Sequence, residues 1–241
     1  GDHFGASLAA GDFNRDGCDD LAIGAPEEGI ATADGKDGHV TVLMANCAGG
    51  FASGRARGII AGSQGFPGNV NEHHKNFGWT LAAGDFDGNG WLDVYVTNIT
   101  TAEYLKEGNM LWSNAAADAR GVPVLMDLAV DAGVADGGWG WGAKFFDFDN
   151  DGDLDLVSAN GFITAGEGSY WFDLASWTVL DQDVIDARNW PPIGDRSFSG
   201  HEPMRLWRNE GSQRFVEIAA QAGTDDRRDG RGVVVFDANN D

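Results

Sequence analysis

Apolar residues in this chain fall in short runs of four to eight, without the three- and four-residue spacing of an amphipathic helix. FGASLAAG (4–11), FGWTLAAG (77–84) and WGWGAKFF (139–146) each lead into an acidic stretch, and DLAIGAP (20–26), DVYVTN (93–98) and DLVSAN (155–160) each lead out of one. The runs are partly alternating and bounded by Gly, Pro or Asn, which predicts strands joined antiparallel across a tight loop. Each interval then holds two more such runs. They are His39–Asn46 and Arg57–Gly62, Asn109–Asn114 and Val122–Ala129, and Met204–Asn209 and Arg214–Ala219. Four strands per interval, repeated, predict an all-β fold of four-stranded antiparallel blades, a β-propeller.

The polar positions between the first and second runs are as regular as the apolar ones. D-x-[DN]-x-[DN]-G-x-x-D occurs as DFNRDGCDD from Asp12, DFDGNGWLD from Asp85 and DFDNDGDLD from Asp147, and DANND begins it again at Asp237. Alternate oxygen donors around a sharp glycine turn are what Ca²⁺ requires, since it takes six to eight hard oxygen ligands. The expected ligands are side chains at positions 1, 3, 5 and 9 and the carbonyl at position 7. In the first loop these are Asp12, Asn14, Asp16 and Asp20, with the Cys18 carbonyl. In the second they are Asp85, Asp87, Asn89 and Asp93, with the Trp91 carbonyl. In the third they are Asp147, Asp149, Asp151 and Asp155, with the Asp153 carbonyl. Three Ca²⁺ are expected, with a fourth site cut short. An EF-hand is excluded, because position 12 is Ile23, Val96 or Ser158 instead of Glu and the flanks are strands. The competing reading is a metal-free Asp/Asn/Gly turn, but such a turn does not need a carboxylate or amide at every second residue.

Charge changes the picture of partners. The 241 residues carry a formal net charge of −22, with 36 glycines and four lysines. That balance argues against nucleic acid, whose phosphates call for Lys and Arg. Ten of the acids belong to the proposed ligand set, so part of the charge is a place for cations. No apolar run reaches the eighteen or so residues of a membrane-crossing helix. Cys18 and Cys47 are the only cysteines. Cys18 precedes the second strand and Cys47 follows the third. The midpoint between them, near Thr32 and Ala33, coincides with the connection between those strands, so antiparallel register brings them opposite each other. A disulfide is expected, in an oxidising compartment. The alternative is two unrelated thiols, and a Cα separation well beyond about 7 Å would exclude the bridge.

FGASLAAGDFNRDGCDDLAIGAP resembles an FG-GAP repeat, the blade of integrin α-subunit propellers. GWGWGAKFFDFDNDGDLDLVSANG, the stretch Arg188–Gly211 and RFVEIAAQAG are similar to the cartilage acidic protein family. The resemblance implies an exported, calcium-binding propeller, seven-bladed in full length, at the cell surface, secreted or in a periplasm. It implies an interaction protein without an assigned catalytic activity, with partners on the face away from the calcium loops. On that reading residues 1–241 form a partial, open propeller with repeats at roughly 1–76, 77–138, 139–230 and 231–241. The expected function is calcium-dependent recognition of a protein or glycan. The alternative is a polysaccharide lyase or hydrolase on the same scaffold. No G-x-S-x-G, H-E-x-x-H or phosphate loop is found.

Other features add less. Trp139 and Trp141, two apart on a strand, face the same side. They are expected in the inter-blade core, with stacking on a sugar as the alternative. His73 and His74 are adjacent and would diverge on a strand, so they make a poor metal pair. Asn98-Ile99-Thr100 is a glycosylation sequon. About forty residues, Gly161–Pro203, separate the second and third strands of the third repeat, against about ten, Ile99–Gly108, in the second. With Tyr170, Trp171, Phe172, Trp177 and Trp190 this insertion is too apolar to stay unfolded. A short helix is expected within 172–187. Strand alternation places the insertion at the blade end opposite the acidic loops, where it is the expected recognition surface, the alternative being a lid packed over the blade ends for stability alone.

Overall fold

The computed structural model describes residues 3–26, 28, 38–59, 78–99, 108–171, 173, 174, 176 and 187–237. Among them are three four-stranded antiparallel sheets, each a meander. The first comprises β1 (Ser7–Gly11), β2 (Asp20–Ala25), β3 (His39–Ala45) and β4 (Phe51–Ile59). The second comprises β5 (Leu81–Gly84), β6 (Asp93–Val96), β7 (Met110–Ala117) and β8 (Pro123–Asp127). The third comprises β9 (Gly140–Phe146), β10 (Asp155–Asn160), β11 (Arg205–Asn209) and β12 (Phe215–Glu217). The chain is therefore all-β, an arc of three propeller blades, with inner strands β1, β5 and β9 as neighbours. The fourth strand of the first blade starts at Phe51, earlier than the apolar run at Arg57 suggests. It pairs with β3 through a register shift between Leu43 and Ala45 that carries the pairing back to Phe51. Residues 60–62, His73, His74, Thr100, Thr32, Ala33, Phe172, Trp177 and most of the helix expected at 172–187 lie outside the described residues.

The period-two alternation of a strand decides how the blades stack. In the middle blade Leu81, Val94, Val96, Met110 and Trp112 face the first blade, where they pack with Phe13, Ala22, Val40, Val42 and Met44. Their alternates Ala82, Tyr95 and Leu111 face the third blade and meet Ala143, Leu156, Trp207 and Phe215. All four residues of β6 are therefore buried, although a one-sided sheet would leave every second one in water.

Two single-turn helices, α1 (Ala129–Ala132) and α2 (Ala219–Ala222), follow the outer strands of blades two and three. The stretches MDLAVDAG (126–133) and VEIAAQAG (216–223) resemble each other, and this element is what they share. Asp127 Oδ1 accepts the Ala129 N–H at 2.9 Å and Glu217 Oε1 accepts the Ala219 N–H at 2.9 Å, so each acid meets a free donor of the turn. Gly133 and Gly223 end the turns at φ 83° and 71°, in the left-handed region that suits glycine. Ala129, Ala132 and Val134 are thereby set into the core between blades two and three.

Trp139 and Trp141 share one side, which meets the second blade only at its edge, through Ile99 and Trp79, and not in the main core between the blades. Trp139 lies in a separate aromatic cluster with Tyr170, Leu174 and Phe198, and Trp141, Phe162, Trp171 and Trp190 pack around it. The insertion supplies most of this cluster and offers the tryptophans a nearer apolar partner than the next blade does. Trp139 stacks on Phe162 at 5.1 Å between ring centroids, and Trp141 donates from Nε1 to the Gly161 carbonyl. Glu202 joins the insertion to the base of β9 by accepting from the Trp139 N–H and the Ser199 hydroxyl, and burial pushes its carboxyl above the usual carboxylate range. The insertion leaves β10 at the blade end opposite the acidic loop.

Candidate metal centre

Each acidic loop joins the first and second strands of a blade, so strand geometry puts all three at the same end of the arc. Position 6 is Gly17, Gly90 or Gly152, with φ 89°, 83° and 95°. A side chain there would be strained, which is why the sixth residue is glycine in every copy. Position 1 holds the turn together. Asp12 accepts the Asp16 and Gly17 N–H groups, Asp85 accepts the Gly90 N–H, and Asp147 accepts the Asp151 and Gly152 N–H groups. Positions 3 and 5 do the same on a shorter span. Asn14 accepts the Asp16 N–H and Asp87 the Asn89 N–H. Asp16, Asn89 and Asp151 accept the N–H groups of Cys18, Trp91 and Asp153.

Position 9 behaves differently. Asp20, Asp93 and Asp155 are at most 1% exposed. One oxygen of each accepts the N–H of the phenylalanine at position 2, from Phe13, Phe86 and Phe148. The other accepts an N–H from the third strand of the same blade, from Ala45, Asn114 and Asn209. Each oxygen keeps a second lone pair for a cation. Burial raises all three above the usual carboxylate range, with Asp93 pushed up to about 7 as Asp87 and Asp85 add their charge. A low-dielectric pocket disfavours a lone negative charge, and neighbouring carboxylates disfavour it further.

The loops are not equal. In the second, oxygens of Asp85, Asp87 and Asp93 all lie within 4.8 Å of one another, and in the third so do those of Asp147, Asp149 and Asp151. Asp85 Oδ1 is buried and no hydrogen-bond donor among the described residues reaches it. A buried carboxylate oxygen without a donor is costly, and a cation would satisfy it. The residues therefore fit a hard divalent ion best at the second loop. In the first loop the close group is Asp16 with Cys18 and Cys47. Those sulfurs are joined in a disulfide with Cα atoms 5.5 Å apart, so they offer no thiolate. The bridge ties the first loop to the end of β3 and closes a separation of 29 residues. Reduction is expected to remove about 3–4 kcal/mol in the chain-entropy picture. Melting curves with and without reductant, beside alkylation and mass analysis for free thiols, measure this. Two alkylated cysteines in the unreduced protein would dismiss the bridge.

Sequence reading did not pick out Asn114 and Asn209. Both end the LWSN and LWRN runs, which repeat, and that repetition was the available signal. Asn114 Nδ2 donates to the Phe13 carbonyl at 2.8 Å and the Leu92 carbonyl at 3.2 Å. Asn209 Nδ2 donates to the Phe86 carbonyl at 2.8 Å and the Leu154 carbonyl at 3.1 Å. Each asparagine thus touches its own blade's loop and the preceding one. Further cross-loop contacts are Arg15 over the Trp91 ring at 5.4 Å and Gln213 Nε2 donating to Asp87 at 2.8 Å.

Comparison with known proteins agrees with the blade reading. The FG-GAP repeat model matches residues 4–43 and 77–98. A 95-residue stretch is 35% identical to phosphatidylinositol-glycan-specific phospholipase D of Mus musculus and 34% identical to that of Rattus norvegicus, and 93 residues are 37% identical to that of Homo sapiens. The match takes in 39% of this chain and spans about a tenth of the length of each of those proteins.

Proposed function

We propose that this chain is an extracellular recognition module whose blades are stiffened by calcium, one ion for each complete acidic loop. The observation that carries the calcium reading is the second loop, where Asp85, Asp87 and Asp93 converge and Asp85 Oδ1 is buried without a donor among the described residues. Asp85, Asp87, Asn89, Asp93 and the Trp91 carbonyl would hold the ion there. Asp147, Asp149, Asp151, Asp155 and the Asp153 carbonyl would do so in the third loop, and Asp12, Asn14, Asp16, Asp20 and the Cys18 carbonyl in the first. Calcium supplies the positive charge that lets these carboxylates ionise side by side. Export is supported by the Cys18–Cys47 bridge, which belongs to oxidising compartments. No helix among the described residues is long and apolar enough to cross a membrane. The cartilage acidic protein reading rests on the Arg188–Gly211 stretch and the GWGWG blade.

The recognition surface in this reading is the insertion at the end away from the loops. Its described residues pack together, with Tyr170 and Phe198 buried and Arg196 bound to Asp173 and stacked on the Tyr170 ring. Its partner is a protein or glycan. The similarity to the phospholipases supports a shared scaffold, since it spans a tenth of their length, and it does not bring their reaction to this chain.

The test is incubation of the folded protein with neutral and acidic polysaccharides and with matrix proteins, in calcium and in chelator. Retention without product supports a recognition module, and shortened or unsaturated sugar products would replace it with the enzyme reading. Exchanging Gly168–Ser199 for a short Gly/Ser linker is expected to abolish that retention while leaving the melting transition of the blades. Undiminished retention by a folded, shortened protein would move the recognition site elsewhere.

A further inference from the structure

The three loops are joined by one unbroken line of buried hydrogen bonds. Asp155 Oδ1 accepts the Asn209 N–H at 2.8 Å, and Asn209 Nδ2 donates to the Phe86 carbonyl at 2.8 Å. The Phe86 N–H donates to Asp93 Oδ2 at 3.0 Å, and Asp93 Oδ1 accepts the Asn114 N–H at 2.8 Å. Asn114 Nδ2 then donates to the Phe13 carbonyl at 2.8 Å, and the Phe13 N–H donates to Asp20 Oδ2 at 3.1 Å. Every residue on this line is at most 3% exposed. It begins at position 9 of the third loop, passes through positions 2 and 9 of the second and ends at positions 2 and 9 of the first. The blade-one counterpart of the asparagines is Ala45, whose N–H reaches Asp20 but whose methyl group has nothing to donate.

We propose that Asn114 and Asn209 are positioning residues that couple neighbouring calcium loops, so that filling one loop tightens the next. The inference rests on the calcium reading above. A loop collapses around an ion only if its position-9 carboxylate and position-2 peptide are held in place. The asparagine of the following blade holds that peptide by its carbonyl, and is itself held by the position-9 carboxylate of the following loop. Ordering the third loop therefore fixes Asn209, which fixes Phe86 and with it Asp93. The same step repeats through Asn114 to Phe13 and Asp20. Such a line through buried residues transmits position efficiently, because each unmade bond leaves a buried polar group unsatisfied. Coupling is reciprocal, so the first loop also reports to the third.

A double-mutant cycle on the full chain tests this, with calcium as the only ligand and backbone amide exchange in 12–20, 85–93 and 147–155 as the readout. Asp149→Ala disables the third loop. In the otherwise unaltered protein it is expected to raise the calcium concentration that half-protects 85–93 by about five-fold or more. With Asn209→Ala already present, Asp149→Ala is expected to change that concentration no further. Asn209→Ala leaves the link between the first and second loops in place, whereas a general loss of stability would weaken all three loops together. Asn114→Ala, read on 12–20 with Asp87→Ala disabling the second loop, gives an independent cycle should Asn209→Ala fail to fold. Additive effects in the cycle that folds overturn the coupling while leaving calcium binding intact. Absence of calcium-dependent protection in the unaltered protein overturns the calcium reading, and the coupling falls with it.

Discussion

In calcium-free buffer the protein is expected to melt about 5–10 °C lower for each loop that calcium otherwise fills. The figure follows from about 2.7 kcal/mol for a site held at about 100 times its dissociation constant, and about 2–4 °C per kcal/mol for a domain of this size. The pH dependence should change sign with the metal. Burial and neighbouring charge raise Asp93 in the metal-free fold from 3.8 to about 7, so folding favours its protonated form. Its stabilising contribution is present in full below about pH 4 and is lost as pH rises through about 7. Asp20 and Asp155 shift in the same direction for the same reason. In chelator, the melting temperature should therefore fall across this window. In calcium the ionised carboxylates are the bound form, and the gap between the two curves should widen with pH. Scanning calorimetry at several pH values, with metal analysis of dialysed protein, measures both effects. Fewer than two calcium ions per chain, or parallel curves with and without chelator, would falsify the ligand assignment.

Trp207→Ala should cost about 3–5 kcal/mol, the range for removing a buried aromatic ring from a core. Trp207 is 2% exposed and packs between blades two and three, with its ring edge-on to Tyr95 at 6.2 Å. The neighbouring shell is closed by Leu111, Leu156 and the alanines of α1, so it has little freedom to collapse into the space left behind. Val234→Ala is the control. Val234 is 82% exposed, and its replacement should stay within about 0.5 kcal/mol. Urea denaturation of both variants compares them directly. Equal midpoints would mean that the second and third blades do not share a core.

The strands were legible because their chemistry is local. Period-two runs such as HVTVLMA and the DxDxDG spacing are fixed by the residues that form them, and β3 and the loop turns lie where those patterns put them. The single-turn helices were not legible. Four residues are too few to show a helical period, and the repeated alanines of AVDA and AAQA are held by packing in two separate apolar clusters and by Asp127 and Glu217. The destination of Trp139 and Trp141 was hidden for another reason. Alternation says that they share a side, but which apolar surface meets that side depends on where residues 161–203 fold back. Asn114 and Asn209 read as polar strand ends, since nothing local in the sequence shows that their amide groups reach a loop more than a hundred residues away.

The arrangement of β6 has a consequence for the chain before it folds. A strand with all four residues buried, as DVYV is, is a segment that sticks to its own kind when unfolded. Much the same holds for the second strands of the other blades, DLAIGA and DLVSAN, in each of which five of the six residues are buried. Each of these segments begins at the last residue of a loop carrying three to five carboxylates. In a newly made, metal-free chain those carboxylates act as gatekeepers, because like charges repel when two copies of the segment approach in register. The residues that read as cation ligands in the folded protein thus also keep its most aggregation-prone strands apart on the way there.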